Sequence, residues 1–387
     1  MPRATISSEA GFSLMEILVA MGIMLLVMAG TFTAMTNAME AETAAKQVTN
    51  MNGNLRASMD LMVRDMLQVG QGLPVGRRVG VPNGAGATPI VRPGPAAAGA
   101  CAGVANFPAD PSLPAVTVGP DLGPPVNGQC TDVVTTLAAD GSFENINVSS
   151  IAADGTSLTI HPAGPDGLLN TPDDMVLDDN PDVGANNLRP GDLLMLTKGG
   201  SSVLMQVTAV AGQTVTFGAG DPLGLNQFDA TLTVLGTINQ HKVEPTPDPD
   251  APVVNAGVEQ TGPSVATRIR MITYFVDTAT DPANPRLVRV MGGGQPNAVG
   301  FEIETFRITY DLADGVNNPT GVRMVAADLV AGGACGAGAC SENQIRKANL
   351  VIAMRSNRRT DHTGDFYRNT LFTQVALRSL AFVDRYR

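Results

Sequence analysis

The chain has 387 residues, enough for one large domain or two ordinary ones. Its formal net charge of -11 at pH 7 argues against nucleic acid as a partner. With 42 Gly, 27 Pro and no Trp, it should hold many turns and irregular connections. The charge is uneven: Asp154 to Asp192 carries eight Asp and one Arg, whereas Ile345 to Arg387 carries nine Arg or Lys and three Asp. Such asymmetry suits either contact between neighbouring subunits or a plain solvated surface.

The first predicted element starts in "SEAGFSLMEILVAMGIMLLVMAGTFTAM", Ser8 to Met35. No charged residue occurs from Ile17 to Met39. At about 1.5 Å per residue this run reaches roughly 34 Å, enough to cross a bilayer core. One acid, Glu16, sits just inside its start. Three readings compete. A secretory signal peptide needs a basic leader, but Arg3 is offset by Glu9. An ordinary membrane anchor leaves Glu16 unexplained, because a carboxylate at that depth costs a few kcal/mol unless paired. In the third, a peptidase cuts between Gly11 and Phe12 and the apolar run stays. The new Phe12 amine then lies one helical turn from Glu16. One subunit's Glu16 could neutralise another's amine and set register in an assembly.

"GFSLMEILVAM" resembles the N-terminal signal of type IV prepilins and type II secretion pseudopilins. The matching residues are Gly11 ending a polar leader, Phe12, and Glu16 as fifth residue after the cut. The resemblance implies cleavage after Gly11 by an inner-membrane prepilin peptidase and methylation of the Phe12 amine. It also implies a single-pass location with the head in the periplasm, and later in the pilus at the cell surface.

Beyond the apolar run, Val48, Met51, Leu55, Met59, Met62, Met66 and Val69 recur at spacings of three and four, one stripe of an amphipathic helix. No Pro occurs between Arg3 and Pro74. The pattern predicts one helix from about Phe12 to Gln68: residues 12–39 for membrane or filament core, 40–69 for packing on a globular head. It should end at "GQGLP". Gly22 and Gly30 would permit close helix approach or be merely tolerated.

Residues 70–130 are rich in Pro and Gly and show no helix or strand period, so a long loop, functional or disordered, is expected. Four cysteines allow three pairings, and the favoured one is local: Cys101 with Cys130 and Cys335 with Cys340. Zinc is the alternative, but no CxxC occurs and His161, His241 and His362 are scattered.

Residues 131–387 are expected to form a β-rich head. Strand signals are "TDVVTTLA", "TSLTIHP", "DLLMLT", "SVLMQVTAV", "QTVTF", "ATRIRMITYFVD", "PRLVRVM", "GFEIETFRITYDL", "KANLVIAMRS" and "YRNTLFTQVALRSLAF". In "FEIETFRITY" the apolar face switches near Thr305, which predicts a bulge or a change of sheet. The fold class is therefore α+β, a long N-terminal helix on a mostly antiparallel β-head with long irregular loops.

For chemistry, the acidic stretch with Asp166, Asn170, Asp173, Asp174, Asp178, Asn180 and Asp182 offers hard oxygen ligands suited to Ca²⁺, or is a solvated loop. It is not an EF-hand: counting from Asp178 puts Val183 where Gly is required and Arg189 where Glu is required. No GxSxG, HExxH or P-loop occurs, so the chain does not read as an enzyme. "RSNRRTDH", Arg355 to His362, reads as a basic run in a solvated turn.

The second half is similar to PilW-type minor pilins, and also to J-type minor pseudopilins, through "GDLLMLTKGGSSVLMQVT", "RIRMITYFVD", "GFEIETFRITYDL" and "QVALRSLAF". The resemblance implies a pilin-like fold and a minor pilin that primes a filament, with the bulky head at its tip. Other minor pilins, the major pilin, the prepilin peptidase, the inner-membrane assembly platform and membrane lipid would be its partners. A pseudopilin of a type II secretion system, or a Ca²⁺-dependent adhesin mounted on a pilin helix, are the alternatives.

Overall fold

The computed structural model describes residues 13–74, 77–81, 89–152, 154–162, 174, 177, 188–199, 201–227, 242–244, 253–255, 264–360 and 364–380. It has one long apolar N-terminal helix and a mostly antiparallel β-body, an α+β layout. Two compact units divide the chain, one of Met1–Asn52 with Ser356–Tyr367, the other of Gly53–Arg355 with Arg368–Arg387.

Helix α1, Leu14–Leu67, contributes to both units. In the first unit, the hydroxyls of Thr31, Thr33 and Thr43 donate to carbonyls three or four residues back, at 2.8 to 2.9 Å. These bonds satisfy the side-chain hydroxyl donors, so Thr31 and Thr33 can sit in an apolar run. The same unit holds a hairpin tip. There Arg359 lies over the Phe366 ring at 4.9 Å and donates to Gly364 O at 2.8 Å.

In the second unit, Leu55, Met59, Met62, Met66 and Val69 are all buried, so the stripe predicted at three-and-four spacing is a packing face. The helix ends where Gly70 leaves the helical ladder and its N–H bonds to Leu137 O at 2.9 Å. Gly72 follows with φ 67°, and a Cβ there would stand 2.4 Å from that of Ala139. The breaker is thus both conformational and steric.

The short strands β1 (Arg78–Gly80), β2 (Ser112–Pro114), β3 (Val116–Thr117), β4 (Pro125–Val126) and β5 (Gln129–Cys130) lie in the segment expected to lack strands. Two or three residues are too few to show a period, and β1 to β3 are buried throughout, with no alternation to read. Buried Arg92 organises this segment. It donates to Thr135 Oγ1 at 3.0 Å, Val118 O at 3.0 Å and Thr117 O at 2.8 Å. Burial lowers its pKa to about 10, which still leaves it charged at neutral pH.

Disulfides join Cys101 to Cys130 and Cys335 to Cys340, with Cα separations of 5.7 and 5.3 Å. They span sequence separations of 29 and 5 residues. Loop-closure entropy makes the longer one worth about 3–4 kcal/mol and the shorter about 2 kcal/mol.

The main sheet is built on β15, Ser264–Asp277. Before it in the chain come β6 (Val134–Ala139), β7 (Ile146–Ile151), β8 (Ser157–Ile160), β9 (Leu193–Lys198), β10 (Ser201–Gln206), β11 (Ala209–Ala211), β12 (Thr214–Thr216), β13 (Lys242–Glu244) and β14 (Val253–Asn255). After it come β16 (Arg286–Met291) and β17 (Asn297–Phe301). β15 is long enough to serve two sets of neighbours. Its first half pairs with β7 and β9, and its second half with β6 and β16. One core lies among β7, β8, β9, β10 and β12, built from residues such as Phe143, Leu158, Leu196, Met205 and Phe217. A smaller one holds Val133, Phe275, Val288 and Val290.

The turn from β15 to β16 closes on Asp277. Its carboxylate accepts from Arg286 Nη2 at 2.6 Å, Thr280 Oγ1 at 2.7 Å and Ala279 N at 2.9 Å. Burial acts to raise the Asp277 pKa, but the Arg286, Thr280 and Ala279 bonds outweigh it and hold it below the usual carboxylate range. A depressed acid stabilises the fold above its unfolded pKa, near 4, and loses that effect as pH falls through the folded value. Asp277→Asn should therefore be less stable than the parent at pH 7. The difference should shrink steadily in unfolding curves taken below about pH 4.

β18 (Ile303–Leu312), β19 (Ile345–Arg359) and β20 (Phe366–Ala376) form a separate three-stranded antiparallel sheet. Between β17 and β18 stands Glu302 at φ 57°, and the register slips between Ile303 and Thr305. The face switch read near Thr305 is thus a change of sheet followed at once by a bulge. Arg355, Arg358 and Arg359 lie within β19 rather than in a turn. Arg355 Nε pairs with Glu302, between β17 and β18, at 3.1 Å, and its Nη2 donates to Ala283 O in the β15–β16 turn, so these two partners absorb what the sequence showed only as charge.

Candidate functional site

The helix start is built from Ser13 and Glu16. Ser13 N–H donates to Glu16 Oε2 at 3.0 Å, and Glu16 N–H donates to Ser13 Oγ at 3.2 Å. This is a reciprocal capping box, in which the first and fourth residues satisfy each other's free amides. Glu16 therefore has a role inside its own chain before any partner arrives. Gly11 and Phe12, the other two residues of the motif, lie outside the described residues.

From Leu14 to Phe32 the large apolar side chains are 46% to 79% exposed, Met28 lowest and Leu14 highest. Leu25, Leu26, Val27 and Met28 are consecutive, so the exposed apolar surface wraps every side of the helix. A soluble helix of that kind would not stay bare in water. The helix is long and apolar enough to cross a membrane. A Cβ added at Gly22 or Gly30 would meet no atom within 4 Å, so no contact within the described chain accounts for either glycine.

What holds α1 on the body is polar as well as apolar. Asp65, 7% exposed, accepts from Tyr274 Oη at 2.5 Å and from Arg289 Nε at 2.7 Å. Burial and the Asp65 carboxylate both push the Tyr274 hydroxyl upward, so it remains a donor throughout the physiological range. The Asp65 bonds outweigh the burial that disfavours the Arg289 charge and raise its pKa. Seven residues earlier, two helical turns back, Ser58 Oγ donates to Val299 O at 2.6 Å. The approach is close because residue 300 is Gly, where a Cβ would stand 2.7 Å from Ser58 Oγ. A second charged cluster ties β18 and the chain that follows it to Asp121 and Asp132. Arg307 reaches Asp121 at 2.5 Å, and Arg323 reaches Asp132 at 2.6 Å.

The acidic stretch is not brought together among the described residues. Asp174 is described and half-buried, while Asp166, Asn170, Asp173, Asp178, Asn180 and Asp182 lie outside them. Among the described residues no group of three or more His, Cys, Asp or Glu could hold a metal ion. Cys101, Cys130, Cys335 and Cys340 are all in disulfides and hence are not metal ligands.

Sequence reasoning missed Ser13, Asp65, Tyr274 and Arg289. Two of them leave a trace. Ser13 and Glu16 have the S-x-x-E spacing of a capping box. Asp65 falls on the apolar stripe, between Met62 and Met66, where an acid demands a buried partner. Nothing local marks Tyr274 or Arg289 as that partner. Comparison with family models, with curated proteins and with solved structures finds no match to the chain.

Proposed function

We propose that this chain is a pilin-like minor subunit, PilW-type in character, which primes a type IV filament and sits at its tip. The observation that carries the reading is the run Gly11, Phe12 and Glu16 placed directly before an apolar segment. The bare apolar helix supports it, because such a surface needs lipid first and other helices later. A prepilin peptidase cuts after Gly11, and the Phe12 amine is methylated. The helix then leaves the bilayer to bundle with those of other minor pilins. Glu16 exchanges its bond to Ser13 for the amine of a neighbouring subunit. The two disulfides fit a body that faces an oxidising compartment.

The test is the N-terminal mass of the protein recovered from membranes and from sheared filaments. The expected species starts at methylated Phe12 and occurs at low abundance in the filament fraction. A chain that retains Met1, or one that starts beyond residue 30, overturns the reading.

A further inference from the structure

Helix α1 is one unbroken element, but its composition is not uniform. From Ala41 to Gln47 it holds three Ala, and Glu42 pairs with Lys46 one turn on at 2.6 Å. From Leu55 to Leu67 it is built mainly of Leu, Met, Arg and Ala, with Leu55, Met59, Met62 and Met66 buried. Both stretches are rich in strong helix formers. Between them lies "TNMNGN", Thr49 to Asn54, where five of six residues are Thr, Asn or Gly. Asn side chains compete for backbone groups, and Gly has the most conformational freedom to lose.

No contact within the described chain calls for this weakness. Gly53 lies in the helix without a positive φ, and a Cβ there would meet no atom within 4 Å. Thr49, Asn50 and Gly53 are exposed, and Asn54 Nδ2 reaches Phe301 O only at 3.4 Å.

The division between the two compact units falls inside this stretch, between Asn52 and Gly53. The chain crosses the same division twice more, at Arg355–Ser356 and at Tyr367–Arg368. There a side chain enters the backbone bonding of the β19–β20 hairpin. Ser356 Oγ accepts the Tyr367 N–H at 3.1 Å and donates to Arg358 O at 2.6 Å. Such hydroxyl bonds offer the backbone an alternative to its ladder. Each crossing therefore coincides with a local weakness in the element that makes it.

We propose that residues 49–54 form a hinge in α1, a segment that opens and bends while the helix on either side stays intact. The apolar half then takes its angle from its surroundings, and the stripe from Leu55 to Val69 stays packed. The Ser356 bonds let the hairpin yield with it. The hinge needs neither cleavage at Gly11 nor assembly, so it stands or falls apart from the filament reading.

The test uses the full chain in detergent micelles. Amide hydrogen exchange, followed by mass spectrometry, should be about 10-fold faster or more in residues 49–54 than in 41–47 and 55–67. Gly53→Ala should slow exchange in that segment about 5-fold and leave both flanks unchanged. Bending is read separately, from spin labels on Ala45→Cys and Arg64→Cys, two exposed positions on either side. A straight helix would hold them about 28 Å apart. The expected distribution is broad, extends below that distance, and narrows in Gly53→Ala. A control pair on Ala29→Cys and Ala45→Cys, both on the N-terminal side, should be narrow throughout. Exchange in 49–54 no faster than in the flanks, no response to Gly53→Ala, or a distribution across the segment as narrow as the control overturns the hinge.

Discussion

Asp65→Ala is expected to destabilise the β-body by about 3–5 kcal/mol, measured by denaturant unfolding of the full chain in detergent. The loss would be large because two donors are stranded together. Tyr274 Oη and Arg289 Nε both converge on Asp65 Oδ2, at 2.5 and 2.7 Å. The Arg289 charge, 16% exposed, would then lack a counterion. Tyr274→Phe removes one bond and strands no charge, so it should cost only about 1 kcal/mol. A double-mutant cycle between Asp65→Ala and Arg289→Ala should show a coupling of about 1 kcal/mol or more, because the second change relieves part of the first. A cost below about 1 kcal/mol for Asp65→Ala would mean that the methionine stripe alone seats the helix.

Glu16→Gln should leave the helix start intact and still remove the chain from filaments. Gln at that position can close the same capping box with Ser13, because the cap needs an acceptor rather than a charge. Pairing with a neighbour's amine needs the charge. Under the filament proposal, recovery of Glu16→Gln in sheared filaments should fall about 10-fold or more, while its level in membranes stays near that of the parent. Ser13→Ala has the converse effect. It removes a cap worth about 1 kcal/mol, frays the first turn and leaves the charge in place, so filament recovery should fall only modestly. If Glu16→Gln assembles normally, the acid serves as a cap alone and the register role is wrong. Circular dichroism of both variants in detergent separates the two effects.

The helix was legible because its signals are local and long. An uninterrupted apolar run, a stripe repeating every three or four residues, and a Gly-Pro breaker place α1 within two residues of its observed ends. Most of the longer strands after residue 130 were legible for the same reason, since they carry several apolar or β-branched residues between turn signals. β7, β13, β14 and β17 were not: β13 and β14 are three residues long, and "INVSSI" and "NAVGF" are interrupted by polar residues or Gly and take their place from strand pairing. Residues 70–130 were unreadable for a deeper reason. Their order comes from Arg92 bonded to residues more than twenty positions away and from a bridge spanning 29 residues.

The site divides along the same line. The amino-acid sequence by itself determined the apolar helix, the acid inside its first turn, and the polar leader ending in Gly11, because each depends on neighbours a few residues apart. Only the tertiary structure decided that Asp65 meets Tyr274 and Arg289, and that Arg358 and Arg359 belong to a strand. The Asp65 contact turns on β16 pairing with β15, which sets Tyr274 beside Arg289. Strand pairing joins residues more than a hundred positions apart, and no local pattern encodes the choice of partner.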